Sequence, residues 1–121
     1  MQSSRRERLY LLDIVEAGDA IARFVAGVDR ERFVGDDLMR SAVLHKLQVI
    51  GEAAGRVSEA TRALAPAVPW RQVVGFRNFT VHAYFAVDWD VVWATAIDDA
   101  PAIANAVRSL LATLPTPDDS A

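Results

Sequence analysis

Apolar residues recur at three- and four-residue steps along nearly the whole chain, and no stretch alternates apolar with polar. This patterning constrains the fold more than any other feature. A step near 3.6 residues collects apolar side chains on one face of a helix, whereas a half-buried strand needs a step of two. The reading is an all-α antiparallel bundle of four main helices, or five if Pro101 divides the last.

Ser4 followed by Glu7 has the form of a capping box for the first helix. Its expected stripe is Leu9, Leu12, Val15 or Ile14, Ile21, Phe24, Val25 and Val28, with Gly18 a weak point and Gly27 with Asp29 the end. Residues 29–35 read as a turn carrying an apolar plug, Phe33-Val34. Asp36-Asp37 place carboxylates at the positive end of a second helix. Its stripe is Met39, Val43, Leu47, Ile50, Ala54 and Val57, fading over residues 61–65 ahead of Pro66. Gly51 and Gly55 share a face of this helix and admit another backbone closely. Packing within the chain and contact with another subunit are equally open for them.

Pro69 suits the first turn of a third helix, with Trp70, Val73, Val74 and Phe76 as its apolar side. This helix is expected to carry Arg77 and Asn78 and to end within residues 82–85. Asp88 caps a fourth, with a stripe that includes Val91, Val92, Ala94 and Ile97. Pro101 should kink or divide it, with Asp98 or Asp99 as a new cap, before Ile103, Val107, Leu110 and Leu111 resume the period. Residues 1–112 make one helical domain, and residues 113–121 are expected to form a disordered tail.

A chain of 121 residues fits one domain. Its 52% apolar content is high for that size, so some apolar surface should fall on a partner, most simply a second copy. The absence of cysteine excludes disulfides and thiolate metal sites, and it fits a cytoplasmic protein. The net charge of -3 does not draw nucleic acid, so an RNA contact needs a local basic patch. Arg5, Arg6 and Arg8 could supply one, or could simply be a solvated helix start. No signal peptide and no membrane span are expected.

The chemistry concentrates in Arg77-Asn78-Phe79-Thr80-Val81-His82-Ala83-Tyr84. On a continuous helix Asn78 and His82 share a face, and so do Arg77 and Tyr84, but Arg77 and His82 stand roughly 140° apart. The mismatch is relieved if the helix loosens at His82. It is also relieved if two copies meet across a twofold axis and pool their arginines and histidines. Arginine grips phosphate through paired charge-assisted hydrogen bonds. Histidine can take a proton near neutrality. Together they suit cleavage of an RNA phosphodiester, with Asn78 orienting either group and no metal or other cofactor required. The competing reading is structural, since cations at a helix end complement its dipole. His45 reads as an ordinary surface or partly buried histidine, and Trp70, Trp89 and Trp93 as core anchors.

Three stretches carry a resemblance: Ile50-Gly51-Glu52-Ala53-Ala54; Pro69-Trp70 through Gly75-Phe76-Arg77-Asn78; and His82-Ala83-Tyr84-Phe85-Ala86-Val87-Asp88. Together they resemble the HepT-like family of HEPN domains over about residues 8–110. The resemblance implies a HEPN-type bundle that forms a homodimer, with the Arg and His motifs of two chains facing each other. It implies a metal-independent endoribonuclease that is the toxin of a type VII HEPN/MNT toxin–antitoxin pair. The implied partner is an MNT-type nucleotidyltransferase antitoxin that attaches AMP to the motif tyrosine. Carried across, Arg77 and His82 are the catalytic pair, Asn78 supports them and Tyr84 is the AMP acceptor. Ala83 stands where many relatives carry glycine. The alternative is a non-catalytic dimeric module that binds nucleotide or tethers the nucleotidyltransferase.

Overall fold

Two long helices, α1 (Gln2–Val25) and α3 (Asp37–Gly55), lie antiparallel, so that the start of α1 meets the end of α3. They are seen in a computed structural model that describes residues 2–79 and 87–115, with side chains from residue 5 onward. The buried face of α1 is Leu11, Ile14, Ala17 and Ile21, and it packs on Val43, Leu47, Ile50 and Ala54 of α3 in one core. This phase differs by about one residue from the expected stripe. Leu9 and Leu12 are 55% and 37% exposed. The Leu9, Leu11, Leu12 cluster allows two helix faces, and tertiary packing selects the one that continues into Gly18. A Cβ on Gly18 would stand 2.7 Å from the Ala104 Cβ, so the glycine sets the approach of α1 to the last helix.

The expected capping box does not form. Helix α1 begins at Gln2, which leaves Ser4 inside it. Glu7 instead accepts from the Ser58 backbone N–H at 2.6 Å and the Ser58 hydroxyl at 2.9 Å, and also from the Thr61 hydroxyl. Ser58 is the N-cap of α4 (Glu59–Ala63). One carboxylate therefore ties the first turns of α1 to the cap of a helix about fifty residues away. Helix α3 also ends earlier than expected, at Gly55, because Ser58 caps a separate helix.

Residues 29–35 are helical, not a plain turn. Asp29 caps α2 (Arg30–Gly35) by accepting from the Arg32 N–H at 2.8 Å. The plug is as expected: Phe33 is fully buried, with its ring 5.2 Å from Trp93 and 6.4 Å edge-on from Trp89. Asp36 caps α3 and Asp88 caps α6 (Trp89–Ala94), each by accepting backbone N–H groups of its first turn. Trp70 is buried, and its Nε1 donates to the carbonyls of Arg62 and Ala65.

Pro101 does not divide the last helix. Helix α6 runs through one π-helical turn, residues 95–99, into α7 (Ala100–Thr113) with helical backbone angles throughout. The Ala100 N–H bonds the Thr95 carbonyl five residues back. The wider turn absorbs the N–H that proline lacks. Asp99 is helical and caps nothing with its side chain. The buried face here is Val92, Ala96, Ala100, Ile103 and Val107. Val91 and Ile97, expected in the stripe, are 48% and 41% exposed, and Ala94 is exposed as well. Among the described residues there is no strand, and no helix is long and apolar enough to cross a membrane. The fold is all-α, as the patterning requires.

Candidate active site

The site is built on an interruption. Helix α5 covers only Trp70–Val74 and then tightens into a 3₁₀ turn, Gly75–Asn78. Phe79, with φ -71° and ψ 68°, leaves helical geometry. The expected third helix therefore stops well short of residues 82–85. The expected face-sharing of Asn78 with His82 and of Arg77 with Tyr84 involves residues outside those described. His82, Ala83 and Tyr84 lie outside the described residues.

The tightened turn packs on α3. A Cβ on Gly51 would sit 2.4 Å from the Arg77 backbone nitrogen and 3.1 Å from the Phe76 carbonyl carbon. The turn thus rests its main chain directly on the bare backbone of α3. One helical turn further on, a Cβ on Gly55 would meet the Arg77 Nη1 at 3.5 Å, so the guanidinium lies over Gly55. The glycine pair serves packing within the chain. Two further contacts pin the turn. Phe76 is buried and stacks on Phe79 with ring centres 6.0 Å apart. Gln48 donates its Nε2–H to the Phe79 carbonyl. Phe76 faces inward, which leaves Arg77 and Asn78 exposed.

Arg77 forms part of the wall of an open groove of about 560 Å³ that runs along the seam of α1 and α3. The groove also takes in Tyr10 and Asp13 from α1, His45 and Glu52 from α3, and Arg56 at the C-cap of α3. The Arg56 guanidinium carbon is 6.0 Å from the centre of the Tyr10 ring. His45 is exposed, as expected, but it shares this groove with Arg77, which sequence reasoning missed. The available signal was spacing: His45, Glu52 and Arg56 follow one another at seven and four residues along the polar side of one helix. Two guanidiniums and two carboxylates leave the groove near neutral. Among the described residues no group of three or more His, Cys, Asp or Glu side chains is arranged to hold a metal ion.

The family profile described as Ribonuclease HepT-like matches residues 14–110. The chain belongs to the HepT-like ribonuclease family. Its relatives cover it almost end to end. A Thermococcus cleftensis protein named "Probable ribonuclease HepT" is 35% identical over 106 residues, 88% of this chain and 96% of the relative. A Methanocaldococcus jannaschii protein named "Putative RNase MJ1380" is 33% identical over 106 residues, 88% of this chain and 97% of the relative. No solved structure matches significantly. In this HepT-like chain the matched span contains the glycine seat and the Arg77 turn. Tyr10 and Asp13, the α1 wall of the groove, precede it.

Proposed function

We propose that this chain is a metal-independent endoribonuclease, the toxin of a type VII HEPN/MNT pair, whose site is composed of Arg77 and His82 from two copies. The observation that carries the reading is the seated turn. It seats the Arg77 backbone on Gly51 and presents an exposed guanidinium over Gly55, in a chain of a ribonuclease family. A cation held in place before substrate arrives needs little reorganisation as charge develops, and that is where electrostatic catalysis gains most.

In the proposed reaction His82 takes the proton from a 2′-hydroxyl. The 2′-oxygen attacks the adjacent phosphorus, the bond from phosphorus to the 5′-oxygen breaks, and that oxygen takes up a proton. The products are a 2′,3′-cyclic phosphate and a 5′-hydroxyl. Arg77 donates two parallel hydrogen bonds to the non-bridging oxygens as their charge grows. Asn78, beside it on the turn, orients the phosphate. The exposed Leu9 and Leu12 on α1 support a second copy as partner. AMP placed on Tyr84 by an MNT-type nucleotidyltransferase would add an anionic group two residues from His82. It would compete with RNA for Arg77 and silence the site.

The test is cleavage of RNA by the purified chain, free of antitoxin, with and without EDTA. The expected rate is insensitive to EDTA and falls at least about a hundredfold in Arg77→Ala and His82→Ala. The intact mass of the peptide carrying Tyr84, before and after incubation with the nucleotidyltransferase and ATP, reads the modification. The net charge of -3 and the mixed charge of the groove favour a second reading, a non-catalytic module that tethers the nucleotidyltransferase. A wild type that binds this partner and leaves RNA intact would establish it.

A further inference from the structure

We infer that the groove beside Arg77 is a base-reading subsite: Tyr10 stacks one base, Asp13 accepts hydrogen bonds from that base's edge, and Arg56 holds a neighbouring phosphate. The inference rests on the ribonuclease reading and adds to it which part of the RNA is read, and by what.

Three observations converge. The first is the ring. Tyr10 is half-buried, with one side packed against the core, and it also lines the groove. An aromatic ring set in such a wall is a stacking platform for single-stranded nucleic acid. The second is the neighbour of that ring. Asp13 is three residues further along α1, so it lies on the same face, and it is exposed in the same groove. An ionised carboxylate only accepts hydrogen bonds. Guanine offers it two adjacent donors on its Watson–Crick edge, uracil offers one, and adenine offers an amino group beside an acceptor. A stacked guanine is therefore the base that this pair favours.

The third is continuity with the site. Arg56 follows Gly55 in the chain, and the Arg77 guanidinium lies over Gly55. Two guanidiniums thus line the groove beside the end of α3. The Arg56 guanidinium stands at the outer limit of cation–π range from Tyr10, so a base can displace it from the ring at little cost. Asp13 and Glu52 keep the groove from attracting anions in general. Its affinity then comes from stacking and edge recognition more than from charge, and the salt dependence of binding should be shallow.

Short oligoribonucleotides methylated at every 2′-oxygen lack the nucleophile, so their binding to the full-length chain can be followed by fluorescence anisotropy without turnover. The wild type should prefer an oligomer containing guanine over its adenine counterpart by roughly tenfold. Tyr10→Ala should weaken binding by roughly ten- to a hundredfold, the range for loss of one base–aromatic stack, while Tyr10→Phe stays within about twofold. Asp13→Asn should lose the preference for guanine. Arg56→Ala should weaken both equally and lower the salt slope by about one. Equal binding by Tyr10→Ala, or a guanine preference that survives in Asp13→Asn, overturns the inference. So does a change of mass in solution in any of these variants, which would make the groove a contact between copies. Thermal melting of each variant separates these outcomes from misfolding. A wild type that binds these oligomers with the expected pattern but does not cleave unmodified RNA would remove the ribonuclease reading and leave the subsite standing.

Discussion

Gly18 and Gly51 occupy equivalent situations with different consequences. At each, an added methyl group would overlap a neighbour, the Ala104 Cβ at 2.7 Å in the first case and the Arg77 backbone nitrogen at 2.4 Å in the second. Gly18 faces a side chain on another long helix, and α1 and α7 can move apart slightly as rigid bodies. Gly51 faces the main chain of a four-residue turn that also carries the proposed phosphate-binding arginine. The Ala104 Cβ has no rotamer to change, so that contact yields only by a small shift between two long helices, whereas the Gly51 contact yields only by moving the residue that carries the site. The first glycine is thus a property of the scaffold, and the second belongs to the chemistry although it carries none.

The largest expected effect is at Gly51. Gly51→Ala should displace the Arg77 turn and reduce RNA cleavage by roughly a hundredfold, the cost of misplacing a catalytic group by about 1 Å. The comparison breaks if this variant cleaves normally. Gly18→Ala should act on stability instead, lowering it by about 1–3 kcal/mol with kcat retained, as read by denaturant unfolding beside a cleavage assay. A matching loss of kcat would make the two glycines alike.

Gln48 offers a graded version of the same test. Gln48→Leu removes the donor to the Phe79 carbonyl and should reduce cleavage by about tenfold. Gln48→Glu sharpens it through pH. As a carboxylate the new side chain repels the carbonyl, and once protonated it donates to it. Activity relative to the wild type should therefore rise as pH falls towards about 4.3, whereas Gln48→Leu keeps a constant ratio. The smallest effect is expected far from the turn. Asp19 pairs with Arg108 at 2.7 Å between α1 and α7, with both side chains about half exposed. Asp19→Asn should cost about 0.2–1 kcal/mol, less at high salt, and leave cleavage unchanged.

What the sequence disclosed depends on how local each determinant is. The caps at Asp36 and Asp88 were legible because a cap is decided within four residues. The Phe33 plug was legible because a bulky apolar residue in a polar stretch has few other uses. The phase of α1 was misread because Leu9, Leu11 and Leu12 support two faces and the choice is made by α3 and α7. The end of α5 was misread for a similar reason: the turn at residues 75–78 packs its backbone on Gly51 of α3, a contact that no local pattern discloses. Arg77 and Asn78 could be selected from their chemistry. The company of Arg77 in the groove was less legible, because Tyr10 and Asp13 reach it from a helix far away in the chain.

The π turn has a consequence for how this chain can vary. Val92, Ala96 and Ala100 follow at steps of four and are all fully buried. On a regular α-helix each such step drifts by about 40°, so the last of them would begin to leave the core. The extra residue in the wide turn cancels the drift and delivers Ile103, Val107 and Leu110 to the same face. Deleting one residue within residues 95–99 would turn the π turn into an α turn and leave Ile103, Val107 and Leu110 on the same face. A deletion elsewhere in the helix would swing everything after it by roughly a quarter turn. At this turn the helix can lose one residue without losing its buried face.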